Sequence, residues 1–236
     1  MDSITDLFRT LVSEHGFEFF VVNDYPISDG LSVNVTIVNK NSFDYFIYFE
    51  IDYEYLGLIE SDIQINLATK FKRYLQEIDV PFEISHYFEK NTYLIIATKY
   101  PKNTNINALF KKISHVEEDP YFFKKQIFYY FDEELSEIKV NDFDVNYSDY
   151  FNSVVSNIER YNSYIENNDV EYSFAIKMFE KFPFLKLKIT ENELLNLNQM
   201  INDKLSKKNL ELIPKLLSLS NEKLINEWIE SLGVSN

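Results

Sequence analysis

Residues 117–134 read EEDPYFFKKQIFYYFDEE, and the way this window is read decides what the middle of the chain is. Asp119-Pro120 is a helix-entry signature: the carboxylate accepts free N–H groups of a first turn, and proline fits the first helical position without losing a hydrogen bond. Behind it Phe122, Phe123, Ile127 and Tyr130 recur near helical spacing around Lys124 and Lys125. The segment reads as a buried helix, or a helix-to-strand junction, whose lysine stems lie along apolar surface with their charged heads in water. It also reads as a partner-binding element, because aromatic side chains flanked by charge are the usual makings of an interface hot spot. On that reading Tyr121, Lys124, Lys125 and Tyr129 meet a partner, Phe123 and Ile127 anchor the segment inward, and an amphipathic terminal helix around Trp228 adds a second contact.

Upstream, Ser3 and Asp6 open an amphipathic helix through Ile4, Leu7, Phe8, Leu11 and Val12, and His15-Gly16 closes it. The period then changes. Residues 17–22 form a strand, 31–39 alternate through Leu31, Val33, Val35 and Ile37, and 43–53 alternate through Tyr45, Ile47, Phe49 and Ile51. Residues 39–42 (NKNS) supply a hairpin turn, so the three strands read as an antiparallel meander. A helix is expected over 60–78, ended by Val80-Pro81, followed by strands over 82–87 and 92–100, the second apolar enough for a central position.

From about residue 104 the pattern turns helical. Phe151, Val154, Ile158, Tyr161 and Ile165 make one stripe, a helix over 171–181 stops before Pro183, and Thr190 with Glu193 opens a helix carrying Leu194, Leu197, Ile201 and Leu205. A last helix carries Leu224, Ile225, Trp228, Ile229 and Leu232. The expected architecture is α+β: an amino-terminal antiparallel sheet with packed helices over 1–140, then an all-helical domain over 141–236, joined near residues 139–147.

The 236 residues suffice for one large domain or two small ones, and 45% of them are hydrophobic. No apolar run approaches the roughly 20 residues of a membrane-spanning helix, and the amino terminus lacks a secretory signal, so a cytoplasmic location with no membrane partner is expected. With no cysteine, disulfides, thiolate catalysis and zinc ribbons are excluded. The 23 Lys and Arg against 38 Asp and Glu give a net charge of −15. That field opposes contact with a phosphate backbone and suits docking to a basic protein partner. Aromatic residues make up 17% of the chain, with 21 Phe and 17 Tyr, which fits either an interface beyond the core or a composition that uses Phe and Tyr where other chains use Leu, since aromatics bury large areas in cores and interfaces alike.

The window 117–134, preceded by the apolar Tyr93-Leu94-Ile95-Ile96 and a short linker helix, resembles the middle component of ABC three-component bacterial defence systems, the accessory subunit of Lamassu-type antiphage operons. Glu118-Asp119-Pro120-Tyr121-Phe122-Phe123-Lys124-Lys125, Tyr129-Tyr130 and Asp132-Glu133-Glu134 carry the resemblance, which covers residues 90–135. It implies a non-catalytic assembly subunit bridging an SMC- or Rad50-like ATPase and an effector, a nuclease in many such systems, that meets DNA only through the complex.

Motifs for enzyme chemistry are missing. The four glycines, Gly16, Gly30, Gly57 and Gly233, are too far apart for a P-loop or a dinucleotide fingerprint, and His15, His86 and His115 lack metal-ligand spacing, so no cofactor is expected. Glu50, Asp52 and Glu54 alternate along an expected strand and so share a face, with Glu60 and Asp62 close behind. A magnesium-dependent nuclease needs such carboxylates with a nearby lysine, but Lys70 lies on the next helix. Three classes follow: an assembly subunit, an acidic inhibitor or DNA mimic, and a cryptic metal-dependent nuclease built on the carboxylates of 50–62.

Overall fold

The computed structural model describes residues 3–40, 44–101, 104–138, 146–166, 169–188 and Asn226. Met1–Leu187 form one compact unit and Lys188–Asn236 a second. Helix α1 (Ile4–Glu14) opens at Ser3, whose hydroxyl accepts the Asp6 N–H, and buries Ile4, Leu7, Phe8, Leu11 and Val12. Strands β1 (Glu18–Ser28) and β2 (Leu31–Asn39) pair antiparallel through the two-residue turn Asp29-Gly30, where Gly30 takes φ +75°, a left-handed conformation glycine adopts without strain. Strand β3 (Tyr45–Glu50) returns antiparallel to β2 with Asn39 opposite Tyr45, as the alternation requires. Of the turn assigned to 39–42, residues 41–42 lie outside the described residues.

After β3 the chain makes a 3-10 turn (Tyr53–Gly57) and a helical run whose short α-helices, α2 (Gln64–Asn66) and α3 (Lys72–Glu77), alternate with π-turns at Ile59–Ile63 and Leu67–Phe71. Strand β4 (Thr92–Lys99) then pairs with β3, and strand β5 (Lys124–Tyr130) with β4, after helix α4 (Ile106–Glu118). Both pairings are parallel, and the sheet order is β1-β2-β3-β4-β5. The sheet is therefore mixed rather than a purely antiparallel meander. Parallel neighbours need a crossover connection, and the 53–77 run and α4 provide the two crossovers.

Each face of the sheet is covered. Val35, Ile37, Ile47, Phe49, Leu94, Ile96 and Ile127 pack against Leu56, Leu67, Phe71 and Leu75 of the first crossover and Leu109 and Ile113 of α4. On the other face Val38, Phe46, Tyr48, Ile95, Ala97 and Phe128 meet α1 and the later helices α6 (Tyr147–Val155) and α8 (Val170–Lys181). Along the chain α5 (Asp132–Glu137) lies between β5 and α6, and α7 (Ile158–Ile165) between α6 and α8. Phe8 stacks on Tyr48 at 4.1 Å and meets Phe182 edge-on at 5.5 Å, so aromatic rings fill this second layer.

Three sequence expectations change here. Residues 82–87 form no strand. The hydroxyl of buried Tyr45 donates to the Glu83 carbonyl at 2.7 Å and accepts the Ser85 N–H at 3.1 Å, giving that backbone the partners a ladder would have supplied. The all-helical reading beyond 104 fails at β5. The stripe from Phe151 to Ile165 breaks at Asn157, whose side chain caps α7 by accepting the N–H groups of Glu159 and Arg160, leaving Ile158 and Ile165 exposed. The helices expected beyond Thr190 and around Trp228 lie outside the described residues, as do residues 139–145 of the expected connector.

Replacing Tyr45 by Phe keeps the ring and removes the hydroxyl, leaving the Ser85 N–H and Glu83 carbonyl without that partner. Chemical denaturation should show a loss of about 1–3 kcal/mol, whereas a wild-type midpoint would mean that residues 83–85 contribute nothing to stability.

Candidate functional site

The decisive window is a loop feeding a strand, and strand geometry separates the two lysines. Successive side chains of a strand point to opposite faces, so Lys124 is exposed while Lys125 is 3% exposed. Lys124 lies over the Tyr93 ring, its ammonium 4.8 Å from the centroid. The Lys125 ammonium pairs with the Asp119 carboxylate at 2.9 Å and donates to the carbonyls of Asp119 at 3.0 Å, Tyr121 at 2.7 Å and Phe123 at 3.4 Å. The expectation that both lysines face outward is thus corrected for Lys125, which holds the loop in front of its own strand. Phe123 and Ile127 do point into the core.

Asp119 is the other half of this clamp. Its carboxylate also accepts from Gln64 Nε2 at 2.9 Å and from the Tyr121 N–H at 3.3 Å. Burial pushes the Asp119 carboxyl up, but the hydrogen bonds from Lys125, Gln64 and Tyr121 outweigh it and hold the group below the usual carboxylate range. The helix-entry reading is corrected in the same place: α4 ends at Glu118, Asp119 is its C-terminal cap, and no helix follows before β5.

The clamped loop presents aromatic side chains to solvent. Tyr121 is 67% exposed and Phe122 44% exposed. Phe122 takes φ +61°, an outlier for a bulky side chain that costs on the order of 1–3 kcal/mol and persists only where its surroundings enforce it. Tyr129, at the far end of β5, is half-buried: its ring lies edge-on to Phe110 at 5.5 Å and to Tyr100 at 5.8 Å, with the Lys177 ammonium 4.8 Å above it. Burial raises its hydroxyl to about 12. Trp228 lies outside the described residues. Of the five candidate residues the structure therefore brings together Tyr121 and Lys125, places Lys124 on the opposite face of β5, and sets Tyr129 apart. Phe122 joins them through its positive φ, a backbone property that no spacing rule reveals.

Strand β5 is an edge of the sheet, where unpaired backbone groups invite strand addition. Here side chains occupy them. Glu117 Oε1 accepts the Ile127 N–H at 2.7 Å and pairs with Lys181 at 2.7 Å. Lys177 donates to the Tyr129 carbonyl at 3.2 Å and pairs with buried Glu134 at 2.6 Å. Burial pushes the Lys177 ammonium down, and Glu134 opposes that shift.

The carboxylates of 50–62 do not converge. Glu50 ends β3, accepts a hydrogen bond from the Tyr130 hydroxyl and stands 3.5 Å from the Thr5 hydroxyl. Asp52 precedes the 3-10 turn that contains Glu54, so the three do not share the expected strand face. Glu60 faces His115 at 3.2 Å and Asp62 accepts from Ser28. Among the described residues no group of three His, Asp or Glu side chains is placed to hold a metal ion, and no helix is long and apolar enough to cross a membrane.

A mixed five-stranded sheet, with helices on both faces and a clamped loop carrying exposed aromatic side chains before its last strand, defines an α+β protein. Residues 54–158 match the family model described as ABC-three component (ABC-3C) system Middle Component 1. The matched region runs from the first crossover through β5 to the start of α7, so it contains the whole clamp, and a match to a component of a multi-subunit system implies protein partners. No curated protein and no solved structure matches the chain.

Two lysine variants separate the roles at β5. Lys125→Met removes the counter-charge of the partly exposed Asp119 and the donor to three loop carbonyls and should cost about 1–3 kcal/mol in chemical denaturation, while Lys124→Glu should stay within about 0.5 kcal/mol of wild type. Equal losses would contradict the assignment. The depressed Asp119 group stabilises the loop fully above its unfolded value of 3.8, and that contribution disappears as pH falls through the folded value. The protection of the amides of residues 119 and 121–123, relative to an unfolded chain at the same pH, should therefore fall below about pH 4, and Asp119→Asn should remove this step.

Proposed function

We propose that the chain is a non-catalytic assembly subunit of an antiphage defence complex of the Lamassu type, joining an SMC- or Rad50-like ATPase to an effector such as a nuclease, in the cytoplasm. The carrying observation is the loop 119–123: a buried ammonium holds a strained backbone whose product is two exposed aromatic side chains, Tyr121 and Phe122. Strain of this kind is retained where it serves recognition, and large rigid aromatics are the residues that dominate hot spots. The family match supports a place among protein partners. The net charge of −15 favours meeting DNA only through the assembly. The separated carboxylates of Glu50, Asp52 and Glu54 favour a binding role over metal-dependent cleavage.

Co-expression with the neighbouring genes tests this reading. The wild-type chain should co-purify with the ATPase at fixed stoichiometry, and Tyr121→Ala with Phe122→Ala should weaken the complex by about 2 kcal/mol or more while the isolated subunit stays folded. Phe122→Gly is more telling, since glycine accepts the positive φ. The isolated chain should become at least as stable as wild type and still lose partner. Full retention of the complex by both variants would assign the loop a structural role only.

A further inference from the structure

The carboxyl ends of β3 and β4 frame a cleft of about 480 Å³ lined by Asp52, Tyr53, Glu54, Tyr55, Lys99 and Tyr100, with Pro101 at its rim. Its position has a topological cause. Strands β3, β4 and β5 run parallel, so their carboxyl ends lie together at one end of the sheet. The volume lies in the range of small-ligand and side-chain pockets.

The lining chemistry selects the occupant. Asp52 and Glu54 are exposed, and the Asp52 carboxylate does not cap the 3-10 turn that follows it. Neither makes a side-chain hydrogen bond or ion pair among the described residues. Three tyrosine rings surround them. Tyr100 is 4% exposed and fixed against Phe131 at 3.7 Å, and Tyr55 is 39% exposed. Tyr53 already receives a cation, for the Lys112 ammonium lies 4.4 Å from its ring centroid. Carboxylates beside aromatic faces bind guanidinium and ammonium groups by charge and by the ring quadrupole together. The lining itself holds two carboxylates and one ammonium, Lys99, and the Lys112 ammonium on Tyr53 is an instance of the kind of group these rings take.

We infer that this cleft is a docking pocket for an arginine side chain from a basic segment of a partner protein. It is a second contact, remote in sequence from the loop 119–123, and it rests on the assembly-subunit reading only for the partner's being a protein. Arginine fits better than lysine because its planar group pairs with a carboxylate in a forked geometry while stacking on a tyrosine.

The test uses the isolated full chain, ¹⁵N-labelled, titrated with the tripeptide acetyl-Gly-Arg-Gly-amide and, separately, with acetyl-Gly-Glu-Gly-amide and a short DNA duplex. The arginine peptide should shift the amides of residues 52–55, 99 and 100 saturably, and the glutamate peptide should not. Asp52→Asn with Glu54→Gln should weaken arginine-peptide binding at least tenfold, whereas Glu18→Gln on β1 should leave it unchanged. Shifts scattered over the acidic surface, equal response to both peptides, a stronger response at the cleft to DNA, or no effect of the double variant would each overturn the pocket. Because no partner protein is present, these results are independent of co-purification, so either proposal can fail alone.

Discussion

The parallel pairing of β3, β4 and β5 is the constraint from which the rest follows. Parallel neighbours require crossovers, and a sheet so built must be covered on both faces. The run 53–77 and α4 cover one face, and α1, α6 and α8 cover the other. The same pairing makes β5 the edge strand and brings the carboxyl ends of β3 and β4 together beside the turn at Tyr53–Gly57. Glu117 and Lys177 then occupy two outward backbone groups of β5, the Ile127 N–H and the Tyr129 carbonyl. The side chains proposed for recognition lie at the two ends of the parallel strands: Tyr121 and Phe122 where β5 begins, and the tyrosine-carboxylate cleft where β3 and β4 end.

Lys125 is the residue on which the loop depends. A buried charge is tolerated only with full compensation, and this ammonium has a carboxylate and three carbonyl oxygens around it. The carbonyls all belong to the segment 119–123, so satisfying the charge also fixes the loop. Phe122 can then stay at φ +61° without relaxing, which would otherwise be the easier course for a bulky residue. Display of the aromatics thus has a local electrostatic cause.

Much of this was legible from residues alone. The alternation of Val33, Val35 and Ile37 and of Tyr45, Ile47, Phe49 and Ile51 placed β2 and β3 and one core face, because period-two burial leaves a direct trace in sequence. Ser3 and His15 marked the ends of α1 for the same local reason. The window at 119–130 misled because its cues are shared. An aspartate accepting the N–H two residues on serves an Asx turn as well as a helix cap, and at Asp119 it serves the turn. Aromatic residues in a short run carry no decisive period, so pairing with β4, a nonlocal event, chose the strand. Adjacent identical lysines with opposite fates could not be told apart without that choice. The expected strand at 82–87 failed on another nonlocal contact, the Tyr45 hydroxyl.

The central claim is that the loop 119–123 is a preorganised docking element held by Lys125. Hydrogen–deuterium exchange of the subunit, alone and in complex with the ATPase proposed as its partner, addresses it directly. The account predicts that amides of 119–123, already ordered in the free chain, gain strong further protection in the complex. Unchanged exchange there, with protection appearing only in other parts of the chain, would contradict it.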